Sequence, residues 1–248
     1  MKNLIFPVDI AEALSEDAET LALVHDRELT PALLKGLRAT GFPGNLVLLP
    51  SNDGARTAWQ AMAAALEGMP AIPDRSEFDR LDADFAAIYL TAAYGASPCE
   101  STWIDEDHLV CQEAMFQMRE IYQSAGLAAA DWRRRSDDHL VLQLAYLAHA
   151  LRCAAGVEDW RSIAKVMDEH LLRWLPDFSS RIAMRCDTAF YAGLVVLTSA
   201  WCEEFRDLLA DRLGEPRPSR EEVELRMKPM VAPQAVPVAF MPGVGPTI

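Results

Sequence analysis

The sequence predicts an all-α protein, a bundle of roughly ten helices. Three observations carry that expectation. Ala and Leu dominate the 248 residues while β-branched residues are sparse, which favours helix. Apolar residues recur three and four apart through most segments. Pro, Gly and capping residues punctuate the intervals between them. With 51% hydrophobic and 24% charged residues, the chain has the balance of a globular protein able to bury a sizeable core.

Thr30-Pro31 joins an N-cap to a proline at the first helical position, and Leu33, Leu34 and Leu37 continue the helix until Gly41 and Pro43 stop it. Residues 46–50 are a short apolar connector with no partner strand in view. Asn52 or Asp53 caps a helix running to Gly68, with Trp59, Met62, Ala63 and Leu66 on one face. Ser76 opens a longer helix bearing the stripe Phe78, Leu81, Phe85, Ile88 and Tyr89, closed by Gly95. Pro98 bars Ser97 from helical conformation. Asp105, followed by Glu106 and Asp107, reads as the N-cap of a helix to Ala125 that carries Leu109, Met115, Phe116, Met118 and Tyr122. Gly126 suits the position after its last turn.

At 128–138 the composition turns polar and charged (AAADWRRRSDD), which divides the chain into an N-terminal helical part (1–127), a linker or hinge (128–137), a C-terminal helical part (138–214) and a short helix with an apolar Pro- and Gly-rich tail (215–248), the parts packing as one domain. Asp137 or Asp138 caps a helix aligning Leu140, Leu144, Leu147 and Leu151, and Gly156 ends it. Pro176 reads as the first position of a further helix. The run 188–213, uncharged over its first 15 residues, is a central helix too short in apolar length for a membrane span, which needs about 20. Ser219 and Glu222 form a capping box. No charge follows Met230, and the tail is expected to be extended or disordered.

The net charge of −14 argues against nucleic acid, since phosphate binding needs clustered Lys and Arg. The beginning of the sequence, broken by Pro7 and Asp9, does not read as a signal peptide. Five cysteines without a C-x-x-C pair read as buried, reduced thiols of a cytosolic protein. Phosphate-cradling, nucleophile-elbow and zinc-protease motifs are absent from the sequence, and no two of the five histidines lie three or four apart. The expectation is therefore a binder: no catalytic residues, no metal site, no cofactor.

Two stretches then point to a family. P-C-E-S-T-W-I-D (98–105) and S-D-D-H-L (136–140) together resemble the TorD/DmsD family of molybdoenzyme-specific assembly chaperones, with H-L-L-R-W-L-P (170–176), A-F-Y-A-G-L (189–194), Tyr89-Leu90 and M-K-P (227–229) as further matches. Cys99 stands where the family commonly has an aromatic residue, and Gln143 where an acidic one is frequent. The resemblance implies a cytoplasmic, non-enzymatic chaperone that binds the twin-arginine signal peptide and the body of a molybdopterin oxidoreductase, holding the apoenzyme for cofactor insertion before export. It implies a monomer or domain-exchanged dimer, without membrane insertion. The residues it nominates for peptide binding are Pro98, Glu100, Ser101, Trp103, Asp105, Asp138 and His139. Arginine pairs with carboxylate in a forked geometry, and Trp103 is suited to cover an apolar side chain or a guanidinium. Asp138 serves equally well as an N-cap and Trp103 as a core residue. The alternatives are a maturation factor binding nucleotide or molybdenum cofactor, and a non-catalytic adaptor subunit.

Overall fold

Helix ends in this chain are set as much by distant side chains as by local capping. A computed structural model describes residues 5–105, 107–131 and 133–228. Among these it contains no strand. There are ten helices of eight residues or more and one single-turn helix: α1 (Val8–Asp26), α2 (Pro31–Thr40), α3 (Asp53–Gly68), α4 (Arg75–Phe85), the one-turn α5 (Ser101–Ile104), α6 (Glu113–Ser124), α7 (Leu140–Cys153), α8 (Val157–Val166), α9 (Leu172–Arg185), α10 (Ala189–Leu213) and α11 (Arg220–Met227). The apolar tail after Met230 lies outside the described residues.

The central α10 packs against α3 and α9, while α1 packs against α7. One buried core runs from Phe6 to Leu209 and draws on residues from both sides of the 128–137 segment. Trp160, Trp174 and Trp201 are its largest wholly enclosed side chains. Gly193 lets α10 approach α3 closely: a Cβ there would lie 3.1 Å from the Met62 Cα.

The local signals that held do so by visible bonds. The Thr30 side chain accepts the Leu33 N–H, Asn52 accepts that of Ala55, and Ser219 with Glu222 closes the capping box of α11. The 46–50 connector is not a strand because side chains take its donors. Asp17 accepts the N–H groups of Val47 at 3.0 Å and Leu48 at 3.2 Å and the Trp201 indole at 3.0 Å, and Glu204 accepts the Ser51 N–H at 2.7 Å. Burial raises the Asp17 pKa, with these hydrogen bonds acting the other way.

Several boundaries differ from the sequence reading. Asp105 is not the cap of a long helix; it terminates α5, and its carboxylate accepts the Asp107 N–H at 3.1 Å to make a turn. The left-handed backbone of His108 and Cys111 keeps residues 105–112 out of helix until α6 begins at Glu113. Leu109 is consequently exposed, and so is Cys111. Cys153 is exposed as well, so the expectation of buried thiols holds for Cys99 and Cys202 but not for these two. The cap of α4 is Asp74, just before the anticipated start. Gly156 opens α8, where Asp159 accepts its N–H, and α7 has already ended at Cys153. Pro176 sits inside α9; the break lies five residues earlier, as a π turn at Met167–Leu171. A second π turn, Ala86–Leu90, follows α4, and Thr91 closes it with bonds from both its N–H and its hydroxyl to the Ala86 carbonyl. Such turns inside helices recur at functional sites.

Candidate functional site

The two stretches singled out from the sequence meet. Cys99 and His139 pair as an isolated antiparallel bridge, in which Glu100 N–H donates to the Asp138 carbonyl at 3.1 Å and Leu140 N–H to the Pro98 carbonyl at 2.8 Å. Pro98 offers only an acceptor here, which is all its place in the bridge requires.

Side chains fasten the same junction. Asp138 Oδ2 accepts the Ser101 N–H at 2.8 Å and the Ser101 hydroxyl at 2.6 Å, while its Oδ1 accepts the Ser136 hydroxyl. With Asp138 so committed, the cap of α7 falls to His139, whose Nδ1 accepts the Val141 N–H at 3.1 Å. The Glu100 carboxylate accepts from Gln143 Nε2 at 2.6 Å and faces His170 Nδ1 at 3.1 and 3.2 Å, with Arg173 at 3.9 Å. Gln143 Oε1 in turn accepts the Trp174 indole N–H at 3.2 Å. Asp137 pairs with Arg119 Nε at 2.5 Å. Glu100, Ser101 and Asp138 are completely enclosed. Burying carboxylates is costly unless they are hydrogen-bonded and paired, and these are.

Trp103 and Asp105 lie further along the same turn and keep some exposure. The Trp103 indole donates to the Ser97 carbonyl at 2.8 Å, its ring packs against Trp174 and Phe178, and the Arg181 guanidinium lies over it at 4.4 Å.

His139 forms one wall of a cleft of about 760 Å³. Opposite stand Asp26, Arg27 and Glu28 at the end of α1; Phe85, Tyr89, Leu90 and Leu142 supply apolar surface, and the turn at 129–135 contributes Asp131, Arg134 and Arg135. Burial raises the Asp26 pKa, but the Arg135 and Arg27 guanidiniums, 2.5 and 3.0 Å away, outweigh it and hold the carboxyl below its usual range. Burial, aided by Arg135, pushes the His139 pKa down to about 3, leaving a neutral imidazole.

Beneath the cleft His25, also lowered to about 3 by burial, is held at both nitrogens: Nδ1 lies 2.5 Å from the Tyr89 hydroxyl and Nε2 2.8 Å from that of Thr198. The Thr198 hydroxyl donates to the Leu194 carbonyl, so it accepts from Nε2–H, and Nδ1 accepts from Tyr89. Sequence reasoning missed Asp26, Glu28 and His25. Charges at a helix end look like a solvated terminus, and nothing local links them to a segment a hundred residues away. Among the described residues no group of three or more His, Cys, Asp or Glu is arranged to hold a metal ion, and no helix is long and apolar enough to cross a membrane.

Comparison with known proteins gives a consistent set of likenesses. The sequence model of the family described as nitrate reductase delta subunit matches residues 50–180. The chain is 28% identical over 191 residues to "Chaperone protein TorD" of Vibrio vulnificus (strain YJ016), covering 73% of this chain and 87% of that one. It is 27% identical over 194 residues to the protein of the same name from Psychrobacter sp. (strain PRwf-1), covering 75% and 86%.

Proposed function

The chain belongs to the nitrate reductase delta subunit family, within which the TorD/DmsD chaperones fall, and from that premise we propose that it is a cytoplasmic, non-catalytic maturation chaperone for a molybdenum-containing oxidoreductase. In this reading it binds the client's twin-arginine leader and holds the apoenzyme until its cofactor is in place.

The observation that carries the proposal is the cleft beside the junction of the two stretches. A twin-arginine leader presents guanidinium groups followed by an apolar run. The cleft offers the carboxylates of Asp26, Glu28 and Asp131 around an apolar floor of Phe85, Tyr89, Leu90 and Leu142. That combination suits an arginine-led apolar peptide through charge-assisted forks and apolar burial.

The seven nominated residues divide by burial. Pro98, Glu100, Ser101 and Asp138 hold the wall together; their polar atoms are committed within it. His139 meets the peptide from the cleft, and Trp103 and Asp105, partly exposed, extend the contact outward. Calorimetry with the client's leader peptide and its Lys-Lys counterpart tests the reading. Micromolar or tighter binding of the arginine form, weakened in the lysine form, is expected. No heat from either peptide overturns it.

A further inference from the structure

A second cavity, of about 350 Å³, lies where the ends of α8 and α10 meet the loop before α11, away from the cleft. Its deepest cation is Arg206 on α10, 4% exposed. Asp168, in the second π turn, takes Arg206 Nε at 2.8 Å and Nη2 at 2.7 Å. The remaining nitrogen, Nη1, is buried and has no hydrogen-bond partner among the described residues. A guanidinium nitrogen carrying two protons, enclosed and unbonded, is a feature that folded proteins seldom leave without a ligand.

The rim is cationic. Lys165, Arg161, Arg217 and Arg226 line the same cavity. Arg161 and Arg217 already hold carboxylates at 2.5 to 2.8 Å. Lys165 is only loosely engaged, 3.8 Å from Glu169, and Arg226 acts on Glu222 through its charge. Two mobile cations above one fixed, enclosed donor form a tripod that fits a tetrahedral oxyanion: the fixed N–H groups orient it and the rim cations balance its charge.

We propose that this cavity binds a phosphate group, with Arg206 Nη1 at its base and Lys165 and Arg226 closing over it. The site is independent of the leader cleft. Calorimetric titration of the full chain with inorganic phosphate is expected to show saturable binding that weakens with added salt. The double variant Lys165→Gln/Arg226→Gln removes only rim charges. It should bind phosphate at least about tenfold more weakly, with leader-peptide affinity and phosphate-free melting unchanged.

A parallel titration with adenosine 5′-monophosphate distinguishes the sources. Equal affinity assigns the site to free phosphate, and markedly tighter binding to a phosphate carried on an organic molecule. Arg206→Lys, if it folds, should abolish binding of both. Absence of phosphate binding by the native chain, or an unchanged affinity in the rim double variant, overturns the proposal.

Discussion

A single oxygen of Asp138, Oδ2, receives both the backbone N–H of Ser101 at 2.8 Å and its hydroxyl at 2.6 Å, across 37 residues of sequence. This contact ties the one-turn helix α5 to the start of α7. Asp138→Ala would strand two buried donors, and an unsatisfied buried group costs about 1–3 kcal/mol. Urea unfolding should show a fall in midpoint of that order with an unchanged slope. A loss below about 0.5 kcal/mol would mean that the junction does not depend on this carboxylate.

His139 separates from Asp138 in its effects. His139→Ala should weaken leader-peptide binding while costing less stability than Asp138→Ala, because the ring supplies one helix cap, worth about 1 kcal/mol, and a cleft wall. Asp26→Asn should weaken the same binding with little change in melting. Calorimetry beside thermal melts reads both. Leader affinity untouched by either change would remove the cleft from the binding reaction.

Gln143 bridges Glu100 and the Trp174 indole inside the core. Gln143→Glu would set a second carboxylate against Glu100 and raise the pKa of the pair. A folded-state pKa raised in this way means that the variant regains stability as pH falls through it. Relative to the native chain, a deficit of about 2 kcal/mol at neutral pH should shrink towards pH 5. A deficit independent of pH would show that the cost is steric.

His25 and His139 set the acid response of the whole protein. Both have folded-state pKa values of about 3, below the unfolded value near 6.5. Between those limits the unfolded chain binds more protons, so stability is complete above about pH 6.5 and falls on acidification until about pH 3, by up to about 1.4 kcal/mol per pH unit for each imidazole. His25→Gln should flatten the slope of unfolding free energy against pH. An equal slope in that variant would assign the acid sensitivity elsewhere.

The helices were legible because burial repeats at the helical period: Leu81, Phe85 and Ile88 are enclosed as their spacing implies, and so are Leu140, Leu144, Leu147 and Leu151. Ends were legible where the capping group had no competing partner, as at Thr30, Asn52 and Ser219. They were lost where a distant donor captured it. Asp138 looks like a cap in sequence and bonds Ser101 in space. Asp84, unremarkable in α4, accepts the Thr188 N–H at 2.7 Å and its hydroxyl at 2.5 Å, and so fixes the start of α10. The approach of 98–105 to 136–140 followed from the family resemblance, whereas the α1 side of the cleft had no local mark. Helical periodicity reports which face is buried, not which other helix covers it.

The cleft carboxylate of Asp26 already holds the guanidinium groups of Arg135 and Arg27. An arriving arginine must swap with one of these, so the tally of ion pairs stays level and charge alone adds little net attraction. Affinity is then governed by what the newcomer carries behind its charge, the greasy segment that settles on Phe85 and Leu142. The displaced Arg135, waiting beside the vacated place, makes letting go as simple as taking hold.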